Sequence, residues 1–187
     1  PDVYVEPDPE LGPALLDQRD AGKRLLLSTT SDWAYATRIL DHALAPQLGG
    51  VPWRELFELV IVSARKPEFF QRRQAAFALA SDDGLLRPCP TGIRRAGVYV
   101  GGDAAQVEAY LGVAGEDILY VGDHIYVDAP VSKDVLRWRT ALVLRELEDE
   151  LAALDGFRES QRQLAALMEE KVRLEFANPR EELKPEM

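Results

Sequence analysis

The chain has 187 residues, of which 47% are hydrophobic and 29% charged, enough apolar material for a buried core and too much for a disordered tail. Its formal net charge of −10 argues against a general nucleic-acid-binding protein, and no apolar run reaches the roughly 20 residues that span a bilayer. The acidic start, PDVYVEPDPE, lacks a signal-peptide pattern, and the single cysteine, Cys89, fits a reducing cytoplasm.

The first part of the chain alternates predicted helices with short apolar strands. Residues 13–21 are expected to form a short helix, and RLLLS (24–28) a buried strand. A longer helix is predicted over 31–45, where a Ser or Asp provides the N-cap. The segment FELVIVS (57–63) then predicts a second buried strand.

A small β element is predicted next, as an insertion over about 72–101. The pair Asp83-Gly84 lies between two weakly alternating segments, which is the pattern of a β-hairpin. Four further elements are expected after the insertion: a helix at 103–111, a third buried strand at 117–121, a short helix at 130–137 and a fourth strand at 139–144.

This order of elements indicates an α/β fold with a Rossmann-like core. Nearly continuous apolar strands that alternate with helices are typical of a parallel sheet covered on both faces. We assign this core to residues 1–146 and a helical extension to 147–187, which Gly156 could divide into two helices. The extension either packs on its own domain or pairs with another helix, from another subunit or from elsewhere in a longer protein.

Polar side chains follow the first two predicted strands. Thr29, Thr30 and Ser31 come directly after the first strand, where their hydroxyls could bind phosphate together with free helix N–H groups, although such residues are also common helix caps. Lys66 follows the second strand, where it could offset phosphate charge or be an ordinary solvated lysine. Ligands of open α/β sheets bind beyond the carboxyl ends of the strands, so these residues are candidates for one site.

Two carboxylates, Asp123 and Asp128, follow the third predicted strand. Carboxylates held this close raise each other's pKa unless a cation or hydrogen-bond donors stabilise them, and a hard divalent cation such as Mg²⁺ is the simplest solution. His124 lies between them, but a single histidine without partners does not favour a transition metal. Hydroxyls, a lysine and paired carboxylates together predict phosphoryl transfer.

At this point the sequence resembles a known family. The segments GKRLLLSTTSDWAY, FELVIVSARKPEFF, VYVGG and DILYVGDHIYVDAPVSKDVLRWRTALVLRELEDEL are similar to the haloacid-dehalogenase (HAD) superfamily, and within it to the cytosolic purine 5′-nucleotidases of the IMP/GMP-specific type. They occur in the family order and cover roughly residues 3–152. VGDHIYVD followed by WRTALVLRELEDEL is the most specific part.

The resemblance implies a role for each candidate residue. Thr29 resembles the hydroxyl that binds the transferring phosphoryl group, and Lys66 the lysine that stabilises the phosphate and the charge of the nucleophile. Asp123 resembles the ligand of a Mg²⁺ cofactor, and Asp128 its partner in supporting the metal site. The substrate implied is a purine nucleoside monophosphate, hydrolysed in the cytoplasm.

Other positions have two alternative roles or depart from the family pattern. Ser31 is a further candidate for contact with phosphate or nucleotide, and Tyr126 matches an aromatic position where some relatives stack an effector base, although a packing or surface role fits equally well. Thr30, Ser63 and Val127 stand where the family usually has Asn, Asp and Gly. These differences bear on the substrate preference more than on the reaction class.

The nucleophile motif of the family, Asp-x-Asp-x-Thr, does not occur in these residues. We therefore expect the chain to be the C-terminal part of a longer nucleotidase, inactive alone, whose remaining portion packs on it, or else a member of a homo-oligomer. The alternative is a catalytically inactive HAD-like module that serves assembly or regulation through its helical tail.

Overall fold

A computed structural model of the chain describes residues 5–124 and 136–177. The chain divides into two compact units, residues 1–142 and 143–187. The first unit is a mixed α/β structure with a parallel-rich sheet, and the second contains a long helix. This confirms the predicted Rossmann-like α/β class. None of the described helices combines the length and apolar character needed to cross a membrane.

The main sheet of the first unit has five strands. They are β1 (Leu26–Ser28), β2 (Leu59–Val62), β3 (Ala76–Leu79), β4 (Leu86–Pro88) and β5 (Gly97–Gly101), in the spatial order β1-β2-β5-β3-β4. Strands β1, β2 and β5 are parallel, whereas β3 and β4 form the predicted antiparallel hairpin around Asp83-Gly84. β5 joins the hairpin to the parallel strands, because β3 pairs antiparallel with it.

The described part of the first unit has five α-helices, of which the first, second and fifth begin and end close to the predicted positions, whereas the two short helices between them were not predicted. The five are α1 (Leu11–Asp20), α2 (Trp33–Ala43), α3 (Trp53–Leu56), α4 (Glu68–Gln71) and α5 (Ala104–Leu111). Asp32 is the N-cap of α2, accepting a hydrogen bond of 2.8 Å from the Tyr35 N–H, and Asp103 caps α5 in the same way. Gly112 ends α5 in the left-handed conformation that glycine adopts without strain.

Two apolar clusters pack against opposite faces of the main sheet. All four residues of β2 are buried, and their side chains alternate between the clusters. Leu59 and Ile61 belong to one cluster, with Phe69, Phe70 and Trp138, whereas Val60 and Val62 belong to the other. The central strand is therefore covered on both faces, as its unbroken apolar sequence predicts.

The last two strands, β6 (Leu119–Gly122) and β7 (Arg139–Leu142), pair in parallel as a separate two-stranded sheet. The prediction that β6 is a buried strand is wrong, because Leu119 and Val121 are 61% and 56% exposed. Its side chains alternate between an exposed and a half-buried face, since β6 has one neighbouring strand among the described residues. The helix predicted at 130–137 lies mostly outside the described residues.

The second unit consists mainly of one helix, α6 (Glu148–Ala177), which is 30 residues long. The helix is continuous through Gly156, so the prediction that this glycine divides it into two is wrong. A single glycine within a helix costs about 1 kcal/mol relative to alanine, which the many good helix formers around it can outweigh.

Candidate active site

The loop after β1 is built around Thr29. Its backbone N–H donates to the carbonyl of Ile61, and its own carbonyl accepts from Ala64, both at 2.9 Å, so this loop is tied to the neighbouring strand β2. The Thr29 hydroxyl oxygen accepts a hydrogen bond of 3.1 Å from the Ser31 N–H. The O–H group of Thr29 can therefore still donate, as binding of a phosphate oxygen would require.

The carboxyl end of β2 is strained at Ser63. Its φ of 51° lies in the left-handed region, which residues other than glycine rarely adopt. The Ser63 N–H donates to the carbonyl of Ser31 at 2.8 Å, and this bond fixes the distorted turn against the loop after β1. The strained residue thus lies where the two candidate loops meet. Strained backbone residues of this kind are concentrated at active sites and ligand-binding sites.

Lys66 links three parts of the first unit. Its Nζ donates to the carbonyl of Ser28 at 3.2 Å and to the hydroxyl of Tyr120 at 2.6 Å, and lies 5.2 Å from the centre of the Tyr120 ring. Ser28 is the last residue of β1, directly before Thr29. The ammonium group is therefore held at the carboxyl end of β1, beside the loop that carries Thr29.

An aromatic cluster supports this position of Lys66. The ring of Phe70 packs edge-on against Tyr120, with centroids 5.2 Å apart, and against Trp138, at 6.1 Å. Trp138 is 4% exposed, and its indole N–H donates to Glu108 at 2.7 Å. This packing holds Tyr120, and through its hydroxyl the lysine, in one orientation.

The other predicted residues are placed as follows. Thr30 is exposed, whereas Ser31 is half-buried and joined to the turn at Ser63. Asp123 is exposed and follows β6 directly, three residues after Tyr120. Asp128 and Tyr126 lie outside the described residues, so their predicted roles stay predictions.

Of the two carboxylates of the predicted metal site, Asp123 lies among the described residues and Asp128 does not. Within residues 5–124 and 136–177, no three His, Cys, Asp or Glu side chains are grouped so that they could hold a metal ion. Mg²⁺ usually keeps several waters and is bound by one or two protein carboxylates together with substrate phosphate. The exposed carboxylate of Asp123 fits such a partial ligand set and could hold the ion with those other ligands.

Tyr120 is a site residue that the sequence analysis missed. Its neighbours in β6 are apolar, so the sequence pattern predicts a packed strand position. The alternation of side chains along the strand could have indicated a role for Tyr120, because Tyr120 and Gly122 share one face of β6 and Asp123 follows at the end of the strand. The contact with Lys66 could not be predicted, because it joins residues 54 positions apart in the chain.

A second cluster of charged groups lies at the opposite, amino ends of β1 and β2. Arg24 binds Glu58 through two hydrogen bonds of 2.7 Å, and the Tyr110 hydroxyl donates to the same carboxylate at 2.6 Å. The hydrogen bonds from Arg24 lower the pKa of Glu58 to about 2, whereas burial raises the pKa of Tyr110. This cluster ties both strands to α5 and is remote from the candidate site.

Comparison with known proteins shows which family the chain is similar to. The model of the 5′ nucleotidase family matches residues 1–185. A 5′-nucleotidase domain-containing protein of Dictyostelium discoideum is 30% identical over 172 residues, which are 89% of this chain and 29% of that protein.

Two mammalian proteins that are similar to the chain are also 5′-nucleotidase domain-containing proteins. The proteins named 5′-nucleotidase domain-containing protein 2 of Homo sapiens and Rattus norvegicus are each 32% identical over 137 residues, or 72% of this chain. The matches cover 25% and 24% of those proteins, so the chain spans less than a third of the length of these three relatives. The chain belongs to the 5′-nucleotidase family.

Proposed function

We propose that this chain is the phosphate-binding part of a Mg²⁺-dependent 5′-nucleotidase of the HAD type, which hydrolyses purine nucleoside monophosphates such as IMP and GMP in the cytoplasm. The observation that carries the proposal is the position of Lys66. Its ammonium group lies against the last carbonyl of β1, beside Thr29, in a member of the 5′-nucleotidase family.

Thr29 and Lys66 would act together on the phosphoryl group. The hydroxyl of Thr29 donates to one phosphate oxygen, and Lys66 balances the charge that builds on the oxygens in the transition state. Tyr120 holds Lys66 through its hydroxyl and keeps the ammonium group oriented toward the site. Mg²⁺ held by Asp123, together with Asp128, would supply further charge neutralisation.

The nucleophile of the proposed reaction lies outside these residues. In phosphatases of the HAD type an aspartate attacks the phosphorus, the nucleoside leaves, and water hydrolyses the aspartyl-phosphate. A second aspartate protonates the leaving ribose oxygen and then activates that water.

The edge of the main sheet offers a place for such a nucleophile. Among the described residues β1 is the outermost strand of the sheet, and an edge strand can pair with another strand. The Ser28 hydroxyl in β1 is also buried without a hydrogen-bond partner among the described residues. A strand from another part of the protein that paired in parallel with β1 would place its carboxyl end beside Thr29.

Phosphate release by the full-length protein tests the proposal. We expect Mg²⁺-dependent release from IMP or GMP, reduced at least about 100-fold by Lys66→Met and by Asp123→Asn. Lys23→Met is the matched control for charge, because Lys23 precedes β1 at the end of the strand remote from the site, and this variant should keep full activity. Unchanged release by Lys66→Met would refute the proposal.

The second candidate function is an inactive relative that acts in assembly. It is favoured by one observation, the exposed apolar residues along α6. If the full-length protein releases no phosphate from any purine nucleoside monophosphate with Mg²⁺, this candidate replaces the first.

A further inference from the structure

Ser63 is an extra residue in the pairing of β1 with β2. The register of the two strands pairs Ser28 with Ile61, and the hydrogen bond from the Thr29 N–H to the Ile61 carbonyl continues this register by one residue. In regular parallel pairing the Ser63 N–H would then donate to the Thr29 carbonyl. Here the N–H of Ala64 makes that bond instead, at 2.9 Å. Ser63 is therefore a one-residue bulge at the carboxyl end of β2, opposite Thr29.

The bulge changes which face of the sheet the following side chain occupies. Ile61 and Val62 belong to the two opposite apolar clusters, so regular alternation would direct Ser63 into the cluster of Ile61. In the structure Ala64 belongs to that cluster and is buried, whereas Ser63 is half-buried. The left-handed φ of 51° at Ser63 lets the chain accommodate the extra residue.

The N–H group of Ser63 binds the loop after β1 instead of the strand ladder. It donates to the Ser31 carbonyl at 2.8 Å, and the Ser31 N–H in turn donates to the Thr29 hydroxyl oxygen at 3.1 Å. The O–H group of Thr29 is then the part of that side chain that can still donate to a ligand. The direction of this O–H group thus depends on the backbone conformation of Ser63.

The same bulge sets the start of the segment that carries Lys66. The Lys66 N–H donates to the Ala64 carbonyl at 2.8 Å, and the ammonium group of Lys66 returns to the Ser28 carbonyl at 3.2 Å. Regular pairing at Ser63 would shift the backbone after it by one residue along β1, and Lys66 with it. The two groups that would bind the phosphoryl group are therefore both placed by one backbone distortion.

We propose that Ser63 is a positioning residue, which aligns the Thr29 hydroxyl and the Lys66 ammonium group through its left-handed backbone rather than through its own hydroxyl. The contacts described above all use the backbone of Ser63 or of its neighbours. This inference rests on the function proposed above. Glycine and asparagine adopt the left-handed region more readily than most residues, whereas valine, which is branched at Cβ, is an outlier there. Substitution by these residues therefore separates a backbone role from a side-chain role.

Steady-state release of phosphate from IMP or GMP by the full-length protein with Mg²⁺ tests the proposal. We expect Ser63→Gly and Ser63→Asn to keep at least about half of the wild-type kcat. Ser63→Val should lose at least about tenfold in kcat per folded molecule, because small displacements of Thr29 and Lys66 weaken their contacts in the transition state. Equal losses in all three variants would assign the role to the hydroxyl, and equal activity of all three would leave Ser63 without a role. Either result overturns the proposal.

Gly112→Val is the matched control for the strain of a valine in the left-handed region. Gly112 has a φ of 67° at the end of α5, beside the contact of Arg24 with the Leu111 carbonyl, and no atom lies within 4 Å of an added Cβ. We expect this variant to be less stable but to keep the wild-type kcat per folded molecule, with the folded fraction measured by circular dichroism. A loss of kcat equal to that of Ser63→Val would show that strain anywhere in the unit lowers activity, which contradicts a positioning role.

A double variant distinguishes positioning from general destabilisation. In a Thr29→Val background, Ser63→Val should lower kcat by a clearly smaller factor than in the wild type, because the hydroxyl that Ser63 aligns is already absent. A loss as large as in the wild type would show that Ser63 does not act through Thr29 and would overturn the inference. If the wild-type protein releases no phosphate from any purine nucleoside monophosphate, the proposed function fails and this inference with it. If the wild type is active and Ser63→Val is equally active, this inference alone fails.

Discussion

Lys66 and Tyr120 show how a site can depend on one hydrogen bond between distant parts of a chain. A lysine side chain has a flexible stem of four carbons, so its ammonium group has a fixed position only if contacts hold it. Here the Tyr120 hydroxyl, 2.6 Å from Nζ, and the Ser28 carbonyl, at 3.2 Å, provide those contacts. Tyr120 is thus a positioning residue for Lys66 in the proposed enzyme.

We predict that Tyr120→Phe lowers kcat/KM of the full-length enzyme by about 3- to 10-fold, because the loss of one hydrogen bond is worth about 0.5–1.5 kcal/mol. The ring and its packing against Phe70 are kept, so stability should change little. Steady-state kinetics measures the effect. The matched control is Tyr110→Phe, which removes a hydroxyl bonded to Glu58 at the remote end of the strands. An equal loss of kcat/KM in both variants would contradict this role of Tyr120.

At the residue scale, the sequence predicts which side chains carry the functional groups but not which residues those side chains contact. Thr29 and Lys66 were predicted from their places after two apolar strands, and the structure brings them to neighbouring loops. The strain at Ser63 could not be predicted, because serine has no special preference for a φ of 51°. The hydrogen bond from the Ser63 N–H to the carbonyl of Ser31 accompanies this conformation and joins two loops that the sequence does not place together.

At the scale of the elements, the Arg24–Glu58 pair joins β1 and β2 where both strands begin. Each residue lies just before its strand, and Arg24 also donates to the carbonyl of Leu111 at the end of α5. The Glu58 carboxylate has a pKa of about 2 in the folded chain, against an ordinary value of 4.5. Folding therefore stabilises its charged form.

The stability of the first unit should fall as the pH is lowered from about 5 toward 2. The pKa of Glu58 is depressed by folding, so its contribution is fully present above the unfolded pKa of 4.5 and is lost as the pH approaches 2. We predict that Glu58→Gln lowers the urea midpoint at pH 7 and that the difference from wild type narrows toward pH 3. Glu55→Gln, at an exposed position in α3, is the control and should show no such narrowing. A difference that stays constant with pH would contradict the assignment.

The long helix gives a second prediction at this scale. Gly156 has no atom within 4 Å of an added Cβ, so Gly156→Ala introduces no clash. The substitution should stabilise α6 by about 1 kcal/mol, and Ala152→Gly should destabilise it by a similar amount. The thermal transition of the helical circular dichroism signal measures both. A lower transition temperature for Gly156→Ala would show that the glycine is required by a contact outside the described residues.

The elements were predicted better than their arrangement. Apolar runs and caps gave β2 and α2 nearly at their observed ends, because local patterns decide where elements begin. The pairing of β6 with β7 in a second sheet was not predicted, since strand order depends on contacts between distant segments. The alternating exposure of Leu119 and Val121 follows from that pairing.

At the scale of the whole molecule, the net charge of −10 opposes the binding of an anionic substrate. A phosphate must therefore be held by local groups rather than by the overall field. In the function proposed above the substrate is such an anion, and the loops at the carboxyl ends of β1 and β2 would supply a hydroxyl and an ammonium group to hold it.

The most direct test is whether Thr29 and Lys66 act on the same phosphoryl group. We predict that kcat/KM for purine nucleotide hydrolysis by the full-length protein falls with Thr29→Val and with Lys66→Met, and that the double variant loses clearly less than the two losses combined, with a coupling of at least about 1 kcal/mol. If the two effects instead add within about 0.5 kcal/mol, the residues act independently and do not form one site.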